Sequence, residues 1–116
     1  MKAYKPLDLN KDFRRAYYRG RSFVAPAIAV YFVKNRRQEC RLGLTAGKKI
    51  GCAVERNRAR RVMRHAFCEL LKDQEIKSSL IGYDVVIVAR TKAVSVKSTV
   101  IEAQLRGIYE KAGIIK

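Results

Sequence analysis

Hydrophobic positions change period several times along the chain, and each change predicts an element. Phe13, Ala16 and Tyr17 recur at i, i+3 and i+4, which sets them on one face of a short helix with Asn10 as its N-cap and Gly20 as its stop. Over residues 27–33 the period falls to two, with Ile28, Val30 and Phe32 on one side and Ala29, Tyr31 and Val33 on the other, a strand covered on both faces. The polar, basic stretch 34–39 reads as a hairpin loop that returns into a second strand over residues 40–46, where Leu42 and Leu44 alternate with Arg41, Gly43 and Thr45. Residues 47–51 break the pattern before a helical period that runs from about Ala53 to Lys72. The unbroken run Val85, Val86, Ile87, Val88, Ala89 belongs to a strand in the middle of a sheet. Ile101, Leu105, Ile108 and Ala112 then mark a last helix from about Ser95, with Thr99 and Glu102 as a capping box near its start. The order is helix, strand, strand, helix, strand, helix, which predicts an α+β fold, a two-layer sandwich of a small mixed sheet with helices. Its 116 residues suit a single domain, 1–116.

Charge changes the picture most. The chain carries 26 Lys and Arg against 10 Asp and Glu, a formal net charge of +16, and such a field calls for a polyanionic partner. A membrane is disfavoured as that partner, because the longest nearly apolar run, residues 23–33, is far short of the roughly 20 residues that span a bilayer and contains Pro26. The first ten residues show no apolar core of a secretory signal, so the expected location is the cytoplasm. Cys40, Cys52 and Cys68 lack metal-site spacing and His65 is the single histidine, so no zinc site is expected and the three thiols read as small buried hydrophobes.

The charge is concentrated. Residues 34–64 hold eleven Lys or Arg and two acids, Glu39 and Glu55. At about 100° per residue, Ala59, Val62, Met63, Ala66, Phe67 and Leu70 share one face of the long helix, and Arg56, Asn57, Arg60, Arg61 and Arg64 lie on an adjoining arc. The four arginines of that arc repel one another, and an anionic partner would relieve that cost. Arginine donates bidentately to phosphate and stacks on bases. Lys48 and Lys49 stand before the helix, whose N-terminal N–H groups could also face a phosphate.

The stretch Lys48-Lys49-Ile50-Gly51-Cys52-Ala53-Val54-Glu55-Arg56-Asn57-Arg58-Ala59-Arg60-Arg61-Val62-Met63-Arg64 closely resembles the arginine-asparagine-arginine signature of the bacterial ribonuclease P protein family. Residues 12–20, 41–44 and 83–90 resemble that family's first helix, second strand and later strand, so the likeness covers nearly the whole chain. The resemblance implies a fold like domain 2 of ribosomal protein S5, with an unusual left-handed βαβ crossover in place of the right-handed default. It implies a protein subunit that binds a catalytic RNA and the 5′ leader of precursor tRNA, while that RNA and its Mg²⁺ release the mature 5′ end. No catalytic residue and no metal ligand is then expected in this chain. By the same resemblance Lys48, Lys49, Arg56, Asn57, Arg58, Arg60, Arg61 and Arg64 serve the RNA interface. Phe13, Tyr17 and Tyr31 line a cleft for the single-stranded leader, with Arg14, Arg15 and Arg90 at its rim. Aromatic faces stack unpaired bases with little sequence preference, which suits many different leaders.

Other functions fit less of the sequence. A ribosomal-type protein for structured RNA would share the charge but not the signature. An autonomous nuclease needs a base, a nucleophile or carboxylate-held metals, and Glu69 and Asp73 share a helix face without such a pattern and read as solvated. His65 lies on a polar flank without a catalytic partner. A DNA reader would need a recognition-helix motif that is absent, so no DNA partner is expected.

Overall fold

The computed structural model describes residues 4–115. Strand β1 (Lys5–Pro6) leads into helix α1 (Asn10–Arg19), strands β2 (Arg21–Val24), β3 (Ile28–Lys34) and β4 (Arg41–Thr45), and a 3-10 turn at Lys48–Ile50. Helices α2 (Ala53–Leu70) and α3 (Gln74–Leu80), strand β5 (Tyr83–Ala89), a second 3-10 turn at Thr91–Val94 and helix α4 (Ser98–Ala112) complete the chain. The five strands form one mixed sheet in the order β1-β4-β5-β3-β2, so the α+β expectation holds.

Strand β5 occupies the centre of the sheet, as its unbroken apolar run predicts, with Asp84, Val85, Val86, Ile87 and Ala89 all buried. The hairpin expected at residues 34–39 does not form. β5 lies between β3 and β4, antiparallel to the first and parallel to the second. Alternation specifies that a segment is a strand but not which strand it pairs with. The segment most apolar on both faces takes the position covered on both, and it separates its two amphipathic neighbours. The return from β4 to the parallel β5 is the long connection through α2 and α3.

Three elements escaped the hydrophobic pattern. β1 and β2 are edge strands of two and four residues, almost wholly exposed, so they carry no alternation to read. The expected single helix to Lys72 instead ends at Leu70, and α3 starts anew. Asp73, expected to be solvated, is the N-cap of α3, its carboxylate accepting from the backbone N–H groups of Glu75 and Ile76 at 2.9 and 3.4 Å. Two other cap expectations fail. Leu9 rather than Asn10 precedes α1, and α4 begins at Ser98 behind Lys97 without a side-chain cap, so Thr99 and Glu102 form no capping box.

The two faces of the sheet are covered unequally. Ile28, Val30, Phe32, Leu42, Val85 and Ile87 pack with Ala59, Met63, Ala66, Phe67 and Leu70 of α2 and Ile101, Leu105, Ile108 and Tyr109 of α4 in one large core. Each large side chain so buried contributes roughly 1.5 to 3 kcal/mol. On the opposite face lies α1 alone, where Ala16, Leu7 and Val86 form a small cluster bordered by half-buried Phe13, Tyr31, Val33 and Val88. The two-layer expectation therefore describes the main core, and α1 adds a partial third layer that leaves grooves along its flanks.

Of the three thiols only Cys40 is buried; Cys68 is partly covered and Cys52 is exposed, which corrects the expectation of three buried cysteines. Burial pushes the Cys40 thiol from its ordinary 9.0 up to about 12, so it stays a neutral thiol in the fold. A disulfide reagent at mildly alkaline pH is expected to label Cys52 first and Cys40 only on unfolding, as peptide mapping would read. Native-state labelling of Cys40 ahead of Cys52 would contradict this packing.

Candidate nucleic-acid interface

Helix α1 is seated by ion pairs as well as by its small apolar cluster. Asp84 on β5 is fully buried and accepts from Arg41 Nε and Nη2, both at 2.7 Å, from Asn35 Nδ2 at 2.9 Å and from Arg15 Nη2 at 3.2 Å. Arg41 also reaches Asp12 of α1 at 3.5 Å. One carboxylate thus ties α1, β4 and the β3–β4 connection to the central strand. The hydrogen bonds it donates to Asp84, outweighing burial, raise the Arg41 guanidinium above its ordinary value. Asn35 completes the corner, its Oδ1 accepting from the Arg37 N–H at 2.8 Å.

On the other flank of α1 an open groove of about 580 Å³ is lined by Asn10, Phe13, Arg14, Tyr17 and Thr45. Two of the three expected aromatics, Phe13 and Tyr17, line it, and the half-buried Tyr31 packs against Tyr17. Tyr17 meets Tyr31 edge-on with centroids 5.0 Å apart, Phe13 lies 6.5 Å from Tyr17, and the Tyr17 hydroxyl is 3.0 Å from Thr45 Oγ1. Gly43 makes this possible, since a Cβ there would come within 2.6 Å of the Phe13 ring. Tyr18, by contrast, points to solvent, and Phe23 and Phe32 stack on each other on the core side.

Phe13 also lines a second depression, together with Tyr4, Leu7, Leu42, Leu44 and the α2 residues Arg60 and Arg64. Arg61, Arg64 and Asn57 are exposed, Arg56 and Arg60 half-buried, and the Asn57 carbonyl oxygen accepts from Arg60 at 2.6 Å. Lys48 and Lys49 are exposed on the 3-10 turn before α2. Arg14 stands at the groove rim as expected.

Some members of the expected set are occupied elsewhere. Arg58 turns away from the arc and donates to the Val94 carbonyl at 2.9 Å, pegging the second 3-10 turn to α2. Arg15 lies on the far flank of α1, held by Asp84, so it is no rim residue of the aromatic groove. Arg90, at the end of the sheet that carries Thr45, donates to the Ala25 carbonyl at 2.8 Å. The α2 N-terminus is less open than expected, because the Glu55 carboxylate accepts from the Cys52 N–H at 3.1 Å. Gly51, at φ 138°, allows that carboxylate to lie against its backbone.

The sequence reading missed Asp84, Arg41, Asp12 and Asn35. A signal existed, since an aspartate beside the most apolar run of the chain needs hydrogen-bonding or ionic partners if it is buried.

The family model described as Ribonuclease P matches residues 1–113. The chain belongs to the ribonuclease P protein family. It is 33% identical over 110 residues to the ribonuclease P protein component of Clostridioides difficile, covering 95% of this chain and 93% of the relative. The corresponding protein of Oceanobacillus iheyensis is 34% identical over 118 residues, covering 100% and 93%. Among solved structures, the Staphylococcus aureus RNase P protein superposes with a TM-score of 0.79 at 29% identity, covering 99% of this chain and 100% of that one. The Thermotoga maritima RNase P protein does so with 0.75 at 25%, covering 92% and 96%. As a ribonuclease P protein the chain is part of a tRNA-processing enzyme and has RNA as its partner in that complex. The ribosomal-type alternative is not favoured. No helix among the described residues is long and apolar enough to cross a membrane.

Proposed function

We propose that this ribonuclease P protein holds the catalytic RNA on the exposed face of α2 and threads the 5′ leader of precursor tRNA through the aromatic groove beside α1, in the cytoplasm. The observation that carries the reading is the adjacency of the two surfaces. Phe13 lines both the groove of Tyr17 and Arg14 and the depression of Arg60 and Arg64, so one strand can pass from a stacking platform to a phosphate-binding helix. Lys48, Lys49, Arg56, Asn57, Arg60, Arg61 and Arg64 bind backbone phosphates of the catalytic RNA. Phe13, Tyr17 and Tyr31 form the stacking platform for leader bases and Arg14 follows the leader backbone, while Arg90 ties the end of β5 to the Ala25 carbonyl. Arg58 and Arg15 act by holding their elements in position.

In this reading the RNA subunit performs the hydrolysis. The reaction's Mg²⁺ is assigned to phosphates of the RNA subunit, which offer hard oxygen ligands. The protein binds, orients and neutralises charge.

Cleavage of a 5′-labelled precursor at low Mg²⁺ tests this, using catalytic RNA alone, protein alone, and holoenzyme with wild-type or Tyr31→Ala protein. Only the mixtures are expected to cut efficiently at the mature 5′ end. Tyr31→Ala should raise the holoenzyme Kd for precursor about 5- to 100-fold, one lost base stack, and leave mature tRNA unchanged. Equal losses on both RNAs would remove the leader from this groove.

A further inference from the structure

The basic segment read from the sequence as a single patch is split in space. Lys48 and Lys49 follow the end of β4, whereas Lys34, Arg36 and Arg37 precede its start at Arg41. A five-residue strand holds these ends about 13 Å apart. The second group faces the far flank of α1, away from the aromatic groove. There an open groove of about 880 Å³ is lined by Arg15, Arg19, Arg21, Lys34 and Arg36, with Tyr83 and Val33 among its other walls. A depression continuing from it through Arg15 and Asn35 adds Lys11, Arg37 and Arg41.

The acids near this groove are already neutralised. Asp84 and Asp12 are engaged by Arg15 and Arg41, and Glu39 by Lys5 and Arg37 at 3.1 and 3.7 Å. The side chains of Arg19, Lys34 and Arg36 are exposed and bond to no other protein group among the described residues. Arg36 sits at φ 58°, a left-handed backbone position that Gly or Asn adopts with less strain than an arginine. Unopposed cations in a groove with a half-buried tyrosine match a polyanion that also carries flat bases.

We propose that this far flank of α1 is a second RNA-binding track, which takes a single-stranded segment by its phosphodiester backbone and stacks a base on Tyr83. Arg19, Lys34 and Arg36 supply the phosphate contacts, and the Asp84 network holds Arg15 and the turn in place. The track is separate from the α2 face and the aromatic groove, and its failure would leave both untouched.

The test titrates a labelled oligouridylate into wild-type protein, R19A/R36A, and a control of equal charge, K77A/R106A, whose residues are exposed on α3 and α4. Loss of two phosphate contacts should flatten the logarithmic salt dependence by about 1.4 in R19A/R36A and leave the control near wild type. Equal slopes in the two double variants would overturn the proposal, since general charge would then account for both. Thermal unfolding of each variant checks that the fold is kept. Holoenzyme binding to precursors with short and long leaders then identifies the source of the strand. A defect seen only with the long leader puts the leader's distal part on this track, and an equal defect on both puts the catalytic RNA there. No defect on either overturns a role in the assembled enzyme.

Discussion

Replacing Asp84 by alanine is expected to lower the stability of the protein by about 3 to 5 kcal/mol, the cost of leaving a buried charge cluster without its counter-ion. Arg41, whose side chain is 11% exposed, would lose two hydrogen bonds of 2.7 Å and keep only Asp12 at 3.5 Å. A domain of this size has about 5 to 15 kcal/mol in total, so the variant would stand close to unfolding. Asp84→Asn keeps shape and one acceptor and should lose less. Urea denaturation gives both values, and the order wild type, Asn, Ala is the expected result. A loss under about 1 kcal/mol for Asp84→Ala would mean that apolar contacts alone seat α1. Because the same carboxylate fixes the helix that carries Phe13 and Tyr17, Asp84→Asn should also weaken precursor binding without touching either ring.

The second large effect concerns the α2 face. Arg60→Ala with Arg64→Ala should weaken binding to the catalytic RNA on the order of tenfold and flatten its logarithmic salt dependence by about 1.4 to 1.8, from two lost phosphate contacts. Stability should stay within about 0.5 kcal/mol of wild type, since Arg64 is exposed and Arg60's side-chain bond is to Asn57 on the same helix. Filter binding over a salt series separates the two quantities. A slope equal to wild type would move the catalytic RNA off this arc. Taken with the far-flank variants, the experiment assigns contacts to each basic surface independently.

Much of this architecture is written locally. The 3.6-residue period over Ala59, Met63, Ala66, Phe67 and Leu70 fixes both a helix and its buried face, and all five are buried. The apolar run of β5 fixes a central strand in the same way. Edge strands β1 and β2 lack such periods, because exposed segments have no apolar face to repeat, and α3 is so short that its buried face is a single i, i+4 pair, Ile76 and Leu80. The capping predictions failed for a related reason. A cap is one hydrogen bond, worth about 1 kcal/mol, and tertiary packing shifts a helix start by a residue for less than it gains elsewhere.

The candidate site divides along the same line. Its chemistry was legible: a basic arc on one helix, three aromatics and a family signature that spans the chain. Its geometry was not. Arg58 and Arg60 are two residues apart and look alike in sequence, yet one pegs the Val94 carbonyl and the other lines the depression beside Phe13. Arg14 and Arg15 are adjacent, and the roughly 100° between successive helical positions sends one to the aromatic groove and the other to Asp84.

By itself the sequence determined the strand and helix periods, the positive charge and the residue types able to stack bases and bind phosphate. Periodicity and composition are properties of short windows, and burial acts on them directly. Only the tertiary structure decided that β5 separates β3 from β4, that one basic segment becomes two surfaces, and that α1 is held by a buried aspartate. Those outcomes depend on which distant segments share an interior, and that is settled by packing and charge compensation among residues tens of positions apart.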